Sequence, residues 1–212
     1  SYIETNDQLI SVTMQQDIDG DGITDEDDQD NDNDGILDED EGCSPSYGSN
    51  LIVNSSITGS VGIANTAPSG WEKYNSYPYP NINIDDVNNP GGGSSLGAFG
   101  SPQSNSSDGG TWAGLMSPAS SSSVRGLKQE INFEAGKQYK IEFEQANYGY
   151  IYNSTSAYTD SGKIEVYLAE GSVNFPSTLL GDGGEMTLGT GWNVSSLTYT
   201  ATTTGPHTIA FI

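Results

Sequence analysis

Cysteine, histidine and basic residues are all scarce in this chain of 212 residues. Cys43 is the single cysteine, so the chain can form no internal disulfide. One histidine is present, and six lysines and arginines stand against 29 acidic residues, for a formal net charge of −23. Nucleic acid and anionic membranes repel so acidic a chain, which removes both from the expected partners.

Long hydrophobic runs are missing as well. Hydrophobic residues make up 33% of the chain and occur in short runs, so no membrane insertion is expected. Glycine, serine, threonine, asparagine and tyrosine are abundant instead. This composition favours an all-β protein with long loops, of the kind common among secreted proteins. A secreted fold without a disulfide needs another stabilising element, and bound calcium is the obvious candidate.

Alternation of apolar and polar residues predicts the strands. The clearest run extends from Leu127 to Phe133 and the next from Tyr139 to Gln145, with a short hairpin between them. Further alternations occur at 164–168, 197–201 and 209–211, with weaker ones at 51–53, 71–77, 81–85, 96–99 and 112–116. About nine strands, each with one polar face, predict a two-sheet antiparallel β-sandwich.

Composition divides the chain into four segments. Residues 1–16 are predicted to be a linker or the tail of a preceding domain, although Ile10, Val12 and Met14 alternate as in a short strand. Residues 17–43 form an acidic block, residues 44–49 a turn-rich linker, and residues 50–212 the sandwich.

The acidic block contains a calcium-loop pattern twice, at residues 17–28 (the first loop) and 30–41 (the second loop). Calcium takes roughly six to eight oxygen ligands, which such a loop supplies from positions 1, 3, 5, 7, 9 and 12, with glycine at position 6 for the turn. Residues 17–41, the acidic segment, hold 14 of the 29 acidic residues and no base. The predicted Ca²⁺ ligands are Asp17, Asp19, Asp21, the Ile23 carbonyl, Asp25 and Asp28, then Asp30, Asp32, Asp34, the Ile36 carbonyl, Asp38 and Glu41.

The two loops begin 13 residues apart, with only Gln29 between them. This spacing leaves no room for the helices of an EF-hand or for the helix between dockerin repeats. The sequence D-x-D-G-D-G-I-x-D followed by D-x-D-N-D-G-I-x-D resembles thrombospondin type 3 repeats. In that family the chain wraps a string of calcium ions, which implies an irregular, calcium-wrapped segment before the sandwich. The alternative is a disordered acidic linker, or a segment that orders only when calcium binds.

Loose motifs in residues 50–212 resemble galactose-binding-like jelly rolls, the fold of many bacterial carbohydrate-binding modules. They are Asn50-Leu-Ile-Val-Asn54, Gly70-Trp71, Gly126-Leu-x-Gln129-x-Ile-x-Phe, Ala135-Gly-x-x-Tyr139-x-Ile-x-Phe143 and Thr204-Gly-x-His207-Thr-Ile-x-Phe211. The resemblance implies a jelly-roll sandwich with a carbohydrate ligand. With the repeats, it implies a secreted or cell-surface bacterial adhesin.

Sugar binding needs aromatic planes and planar polar groups. The candidate ligand residues are Trp71, Tyr74, Tyr77, Tyr79, Asp86, Trp112, Arg125, Gln145, Asn147, Tyr148, Tyr150 and Tyr152. The alternative is packing: the tryptophans would then lie in the core, the tyrosines would cover sheet edges, and Arg125 would pair with a carboxylate.

Enzyme signatures are lacking. The only histidine, His207, lies at the start of a predicted strand, and no catalytic triad, zinc motif or nucleotide loop is present. Asp85 and Asp86 would point apart on a strand, unlike a glycosidase pair. The sequence therefore predicts a non-enzymatic module that binds calcium and a glycan or cell-surface partner, with the jelly roll on a calcium-stiffened stalk. The alternative is a structural or protein-binding adhesin domain without a sugar site.

Overall fold

The computed structural model describes residues 2–6, 10–38, 48–59, 67–75, 82–85, 98–99, 111–116, 125–147, 150–152, 156–158 and 160–212. Within these residues the secondary structure consists of fourteen β-strands. They are β1 (Tyr2–Asn6), β2 (Ser11–Met14), β3 (Glu72–Asn75), β4 (Ile82–Asp85), β5 (Ala98–Phe99), β6 (Trp112–Met116), β7 (Arg125–Phe133), β8 (Gln138–Asn147), β9 (Tyr150–Tyr152), β10 (Ser156–Tyr158), β11 (Glu165–Glu170), β12 (Thr178–Asp182), β13 (Thr190–Thr200) and β14 (Gly205–Phe211).

The strands form antiparallel sheets. One has the order β13-β8-β1-β6-β4, with β2 also paired to β8, and a second has the order β12-β11-β14-β7-β3. A small third sheet has the order β10-β9-β5. The two large sheets share one hydrophobic core, so the predicted all-β, antiparallel sandwich of jelly-roll-like form is confirmed.

The strongest alternations correctly identify the core strands. In β7 the buried face carries Leu127, Ile131 and Phe133, and in β8 it carries Tyr139 and Phe143. These side chains meet because a strand turns every second residue to the same face. The hairpin between the two strands turns at a glycine with φ 81°, in the left-handed region that glycine adopts without strain.

The later alternations are confirmed too. Val166 and Leu168 of β11 and Ile209 and Phe211 of β14 are buried, and the Phe211 ring packs edge-on against Phe143 of β8 at 5.6 Å. The weaker patterns correspond to β3, β4, β5 and β6. The pattern at residues 51–53 forms no strand, since a turn begins there and continues to residue 56.

The segment before the acidic block contributes to the sandwich. The alternation noted at residues 10–14 forms β2, which pairs with residues 139–142 of β8. β1 pairs with the same strand at residues 145–146. Val12 of β2 is completely buried in the shared core. Residues 2–6 and 11–14 are therefore sheet strands, which a linker or a tail would not be.

Residues after the acidic segment return to β2. The Gly48 N–H donates to the Met14 carbonyl at 3.1 Å, and the Leu51 N–H donates to the Val12 carbonyl at 2.9 Å. The Asn50 side chain accepts a hydrogen bond from the Val12 N–H at 3.1 Å. The chain thus leaves the sandwich after β2 and rejoins it beside β2. The expectation of a stalk that carries the sandwich at its end is corrected: the acidic segment is a side excursion from one sheet.

None of the described residues belongs to a helix long and apolar enough to cross a bilayer.

Candidate functional site

Two groups of carboxylates converge where the calcium-loop pattern places them. Asp17, Asp19 and Asp21 offer oxygens that all lie within 4.8 Å of one another, and the second loop repeats this group at positions 30, 32 and 34. Like charges brought this close repel each other and stabilise any cation placed between them. These clusters could hold a metal ion.

Aspartate side chains fix the curl of the first loop. Asp17 accepts hydrogen bonds from the backbone N–H of Gly22 through Oδ2, at 3.2 Å. Asp19 accepts from Asp21 at 3.0 Å, and Asp21 accepts from Ile23 at 2.8 Å. Gly22 has φ 95°, which a residue with a Cβ adopts only under strain. The loop is therefore shaped by the residues that the pattern specifies.

The second loop repeats this geometry 13 residues later. Asp30 Oδ2 accepts from Gly35 at 2.9 Å, Asp32 accepts from Asp34 at 3.3 Å, and Asp34 accepts from Ile36 at 2.9 Å. Gly35 has φ 90°. The sequence repeat is thus also a structural repeat.

Position 9 closes each loop. Asp25 accepts from the Ile18 N–H through Oδ1 at 3.0 Å, and Asp38 accepts from the Asn31 N–H in the same way, also at 3.0 Å. Asp28 at position 12 accepts from the backbone two residues later at 3.1 Å. Glu41, the other predicted position-12 ligand, lies outside the described residues, and the carbonyl ligation predicted for Ile23 and Ile36 stays a prediction.

Four buried side-chain oxygens have no hydrogen-bond partner, and all lie between residues 15 and 31. They are Gln15 Oε1, Thr24 Oγ1, Asp25 Oδ2 and Asn31 Oδ1, and the described part of the chain contains no other such oxygen. Asp25 is only 3% exposed. A buried acceptor left unpaired costs about 1–3 kcal/mol, so such atoms normally have a water or an ion as a partner. Three of the four can only accept, which suits a cation.

The electrostatics of the first loop point the same way. The pKa of Asp19 is raised overall. The hydrogen bond from the Asp21 backbone is the largest single influence and lowers this pKa. Desolvation and the Asp21 and Asp17 carboxylates each raise the pKa, and together they outweigh the hydrogen bond. Negative charge is therefore crowded at this group.

An ion pair fastens the first loop to the sandwich. The Glu26 carboxylate lies 3.0 Å from Lys140 Nζ on β8 and accepts a hydrogen bond from Gln15 Nε2, also at 3.0 Å. Lys140 also lies 3.6 Å from Glu142, and the Gln15 N–H donates to the Gln138 carbonyl at 2.9 Å. The sequence gives no signal of these contacts, because Glu26 and Lys140 are 114 residues apart in the chain.

Both candidate tryptophans belong to the core. The Trp71 indole N–H donates to the Asn54 carbonyl at 2.9 Å, and its ring packs edge-on against Phe211 at 6.0 Å. Trp112 is completely buried, with its ring 5.9 Å from that of Trp192. Neither offers a face for a sugar to stack on, so their predicted ligand role is corrected to packing.

Gln145 and Asn147 also stabilise the fold. Gln145 is completely buried, accepts from the Ile164 N–H at 3.0 Å and donates to the Gly183 carbonyl. Asn147, equally buried, donates to the Met186 carbonyl at 3.0 Å. Their amides are occupied by backbone groups and cannot reach a ligand in this conformation. The sequence identified them as polar but gave no signal of their burial.

Among the predicted ligand residues whose side chains are described, only Tyr74 reaches the surface in part. Its hydroxyl donates to the Pro176 carbonyl at 3.4 Å, its ring packs edge-on against Phe175 at 5.4 Å, and desolvation raises its pKa.

Arg125 is buried at the start of β7. Four others, Tyr77, Tyr79, Asp86 and Tyr148, lie outside the described residues. Tyr150 and Tyr152 form β9 with no side chain described, so their ligand roles stay predictions.

His207 is part of the core. It is completely buried, with Nδ1 3.0 Å from the Gly205 carbonyl oxygen and the ring centroid 4.9 Å from that of Phe133. This environment gives a substrate no access to the imidazole.

No family model matches this chain, and no curated protein matches it significantly.

Replacing Gln145 separates a structural role from a ligand role. We expect Gln145→Ala to lower the free energy of unfolding by about 2–4 kcal/mol, because the buried Ile164 N–H loses its partner and the Gly183 carbonyl keeps only the hydrogen bond from Ser195 among its side-chain donors. Urea unfolding measures this, with Asn132→Ala at an exposed position of β7 as the control, expected to change stability by less than about 0.5 kcal/mol. Unchanged stability in Gln145→Ala would restore the ligand role.

Proposed function

We propose that this chain is a non-enzymatic extracellular module in which the acidic segment binds two Ca²⁺ and is held by them against the β-sandwich. The observation that carries the proposal is that four unpartnered buried oxygens and two aspartate clusters all occur within residues 15–34. An acidic linker that worked only by solvation would keep such oxygens in water. Their burial is explained when a cation coordinates them or orders the water that does.

The donor set favours Ca²⁺ over other metals. The predicted ligands are carboxylate and carbonyl oxygens, while Zn²⁺ sites are built mainly from cysteine and histidine. Mg²⁺ demands near-ideal octahedral geometry and keeps several waters, whereas Ca²⁺ accepts more oxygens in flexible geometry. Each loop offers five carboxylates and one carbonyl by pattern. A loop of that kind matches the requirements of Ca²⁺.

An extracellular location is part of this proposal. Calcium loops of extracellular modules have dissociation constants of roughly 10⁻⁴–10⁻³ M, so they fill only where calcium is plentiful. A single cysteine among 212 residues leaves no disulfide to stabilise the fold, and bound calcium supplies a substitute. A secreted or cell-surface adhesion module, as in bacterial surface proteins, fits these properties. The burial of His207 is compatible with a role outside catalysis.

Calorimetry tests the two sites separately. We expect the intact chain to bind two Ca²⁺, and Asp17→Asn or Asp30→Asn each to leave one, because each variant removes the carboxylate at position 1 of its loop. Asp27→Asn is the matched control: it removes the same charge from an exposed residue of the first loop that the pattern does not use. Equal losses in all three variants would show that net charge, not coordination, governs binding. Absence of calcium-dependent heat in the intact chain would refute the proposal.

Calcium should also stabilise the sandwich. At a hundredfold excess over the dissociation constant, one site contributes about 2.7 kcal/mol, and for a chain of this size that raises the melting temperature by roughly 5–10 °C. Fluorescence of the buried Trp71 and Trp112 reports sandwich unfolding with calcium or with chelator.

The ion pair between the first loop and β8 should account for part of the calcium-dependent rise in melting temperature. We expect a smaller calcium-dependent rise in Lys140→Met, because that variant removes the contact with Glu26. Lys137→Met, at an exposed position in the hairpin before β8, is the control and should respond like the unmodified chain. A sandwich that melts at one temperature with and without calcium would mean that the loops fold independently of it.

A further inference from the structure

The longest of the described strands lies at the edge of a sheet. β13 has eleven residues, and among the described strands it pairs only with β8. Its pairing is regular from Asn193 to Thr200, after an irregularity between residues 190 and 193. An edge strand presents a row of N–H and C=O groups that another strand can join. The outer edge of β13 is therefore a candidate interaction surface.

Alternate residues of β13 direct their backbone groups to this outer edge. Ala201, directly after the strand, donates its N–H to the Lys137 carbonyl at 2.9 Å and accepts from the Gly136 N–H at 2.8 Å, both on the side of β8. Because this direction alternates along an antiparallel pair, residues 199, 197 and 195 also bond β8. The backbone groups of Val194, Ser196, Thr198 and Thr200, the edge-facing residues, therefore point away from β8. Their side chains are exposed, and no described strand pairs with them from that side.

The other described edges of the two large sheets are protected. Proteins block sheet edges with short strands, charged side chains, proline or bulges. β3 and β4 have four residues each and contain Glu72 and Asp85, while β12 has five residues, contains Asp182 and has an irregular register. The four-residue β2 is covered by residues 48–51. Residues 193–200 of β13 have neither charge nor proline, and their register is regular.

Charge identifies the strand that fits this edge. Residues 186–212 contain no aspartate, glutamate, lysine or arginine, although the chain carries a net charge of −23. A strongly acidic partner is repelled by the chain as a whole, and a strongly basic one is attracted to the acidic segment and away from an uncharged strand. The matching strand is uncharged and rich in β-branched residues, and β13 itself has this composition.

We propose that two copies of this chain pair through their β13 strands, antiparallel about a two-fold axis at Leu197. Val194 then lies opposite the partner's Thr200, and Ser196 lies opposite the partner's Thr198. All four edge-facing residues of each copy are thereby paired, with β-branched and hydroxyl side chains facing one another, as antiparallel pairs favour. A two-fold contact of this kind uses up both edges, so assembly ends at the dimer.

Repulsion between the two copies is modest in this arrangement. The acidic segment reaches β8 through the contact of Glu26 with Lys140. Both copies of β13 separate the two β8 strands of the dimer, which places them roughly 14 Å apart at about 4.8 Å per strand. The Debye length is about 8 Å at physiological ionic strength, so salt screens most of this repulsion. Low salt should therefore dissociate the dimer.

Sedimentation velocity of the full chain in calcium tests the dimer. The contact involves about eight residues per copy, against roughly 20–30 in a stable interface, so we expect a dissociation constant on the order of 10–100 µM. Samples should span about 1 to about 500 µM to cover it. Association should weaken at least about tenfold when NaCl is lowered from about 300 mM to about 20 mM, because the two acidic copies are then less screened.

Edge variants locate the contact. Thr198→Pro removes an edge-facing N–H and leaves the bonds to β8 in place, so it should weaken association at least about tenfold. Its control, Thr198→Val, keeps that N–H and should associate like the unmodified chain. Ser196→Lys places a charge on the edge and should weaken association at least about fivefold. Its control is Thr178→Lys, which adds the same charge at an exposed position of β12 and should have no such effect.

The amide spectrum of each variant checks that the sandwich is intact, and Ser196→Lys decides the matter if Thr198→Pro does not fold. A chain that stays monomeric at every concentration and salt would overturn the inference. Assemblies larger than a dimer, or a dimer that the folded edge variants leave unchanged, would do so as well. The contact contains no predicted calcium ligand, so this outcome is independent of the calorimetric test of the proposed function.

Discussion

Crowding of negative charge in the acidic segment is the constraint on which the rest of the structure depends. Fourteen carboxylates lie within 25 residues, and the oxygens of each cluster lie within 4.8 Å of one another. Such a segment would expand in water if its charges were not compensated. The backbone of both loops nevertheless curls tightly, and aspartates accept its amide hydrogens. A tightly curled segment can carry this much negative charge when cations are bound to it. Bound cations would account both for the shape of the loops and for the unpaired buried oxygens.

Because the acidic segment is attached to the sandwich at both of its ends, the repulsion between its charges bears on the whole fold. β2 precedes the segment, and residues 48–51 return beside it, so any expansion of the loops acts on the pairing of β2 with β8. Val12 of β2 lies in the same core as Ile141 of β8. The ion pair of Glu26 with Lys140 adds a third attachment. The loops are thus joined to the sheet at three places.

Local patterns in the sequence were sufficient for some elements and silent about others. Alternation predicted β7, β8, β11 and β14, because their buried faces repeat every second residue. The loop pattern predicted the aspartate clusters, because it fixes ligand positions within twelve residues. Insertion of β1 between β6 and β8 depends on partners more than 100 residues away, which no local pattern encodes. The buried amides of Gln145 and Asn147 were missed for a related reason: polarity alone does not distinguish a side chain that binds a ligand from one that bonds a distant backbone group.

The side position of the acidic segment has a mechanical consequence. In a surface protein under tension, force enters through the ends of the chain. The hydrogen bonds that join Met14 to Gly48 and Val12 to Leu51 bridge the base of the excursion, so force can pass from β2 to the returning segment at residues 48–51 without crossing the loops. The loops then lengthen the chain only after those bonds break. Under load they would act as a reserve of about 30 residues' contour length, roughly 100 Å when extended.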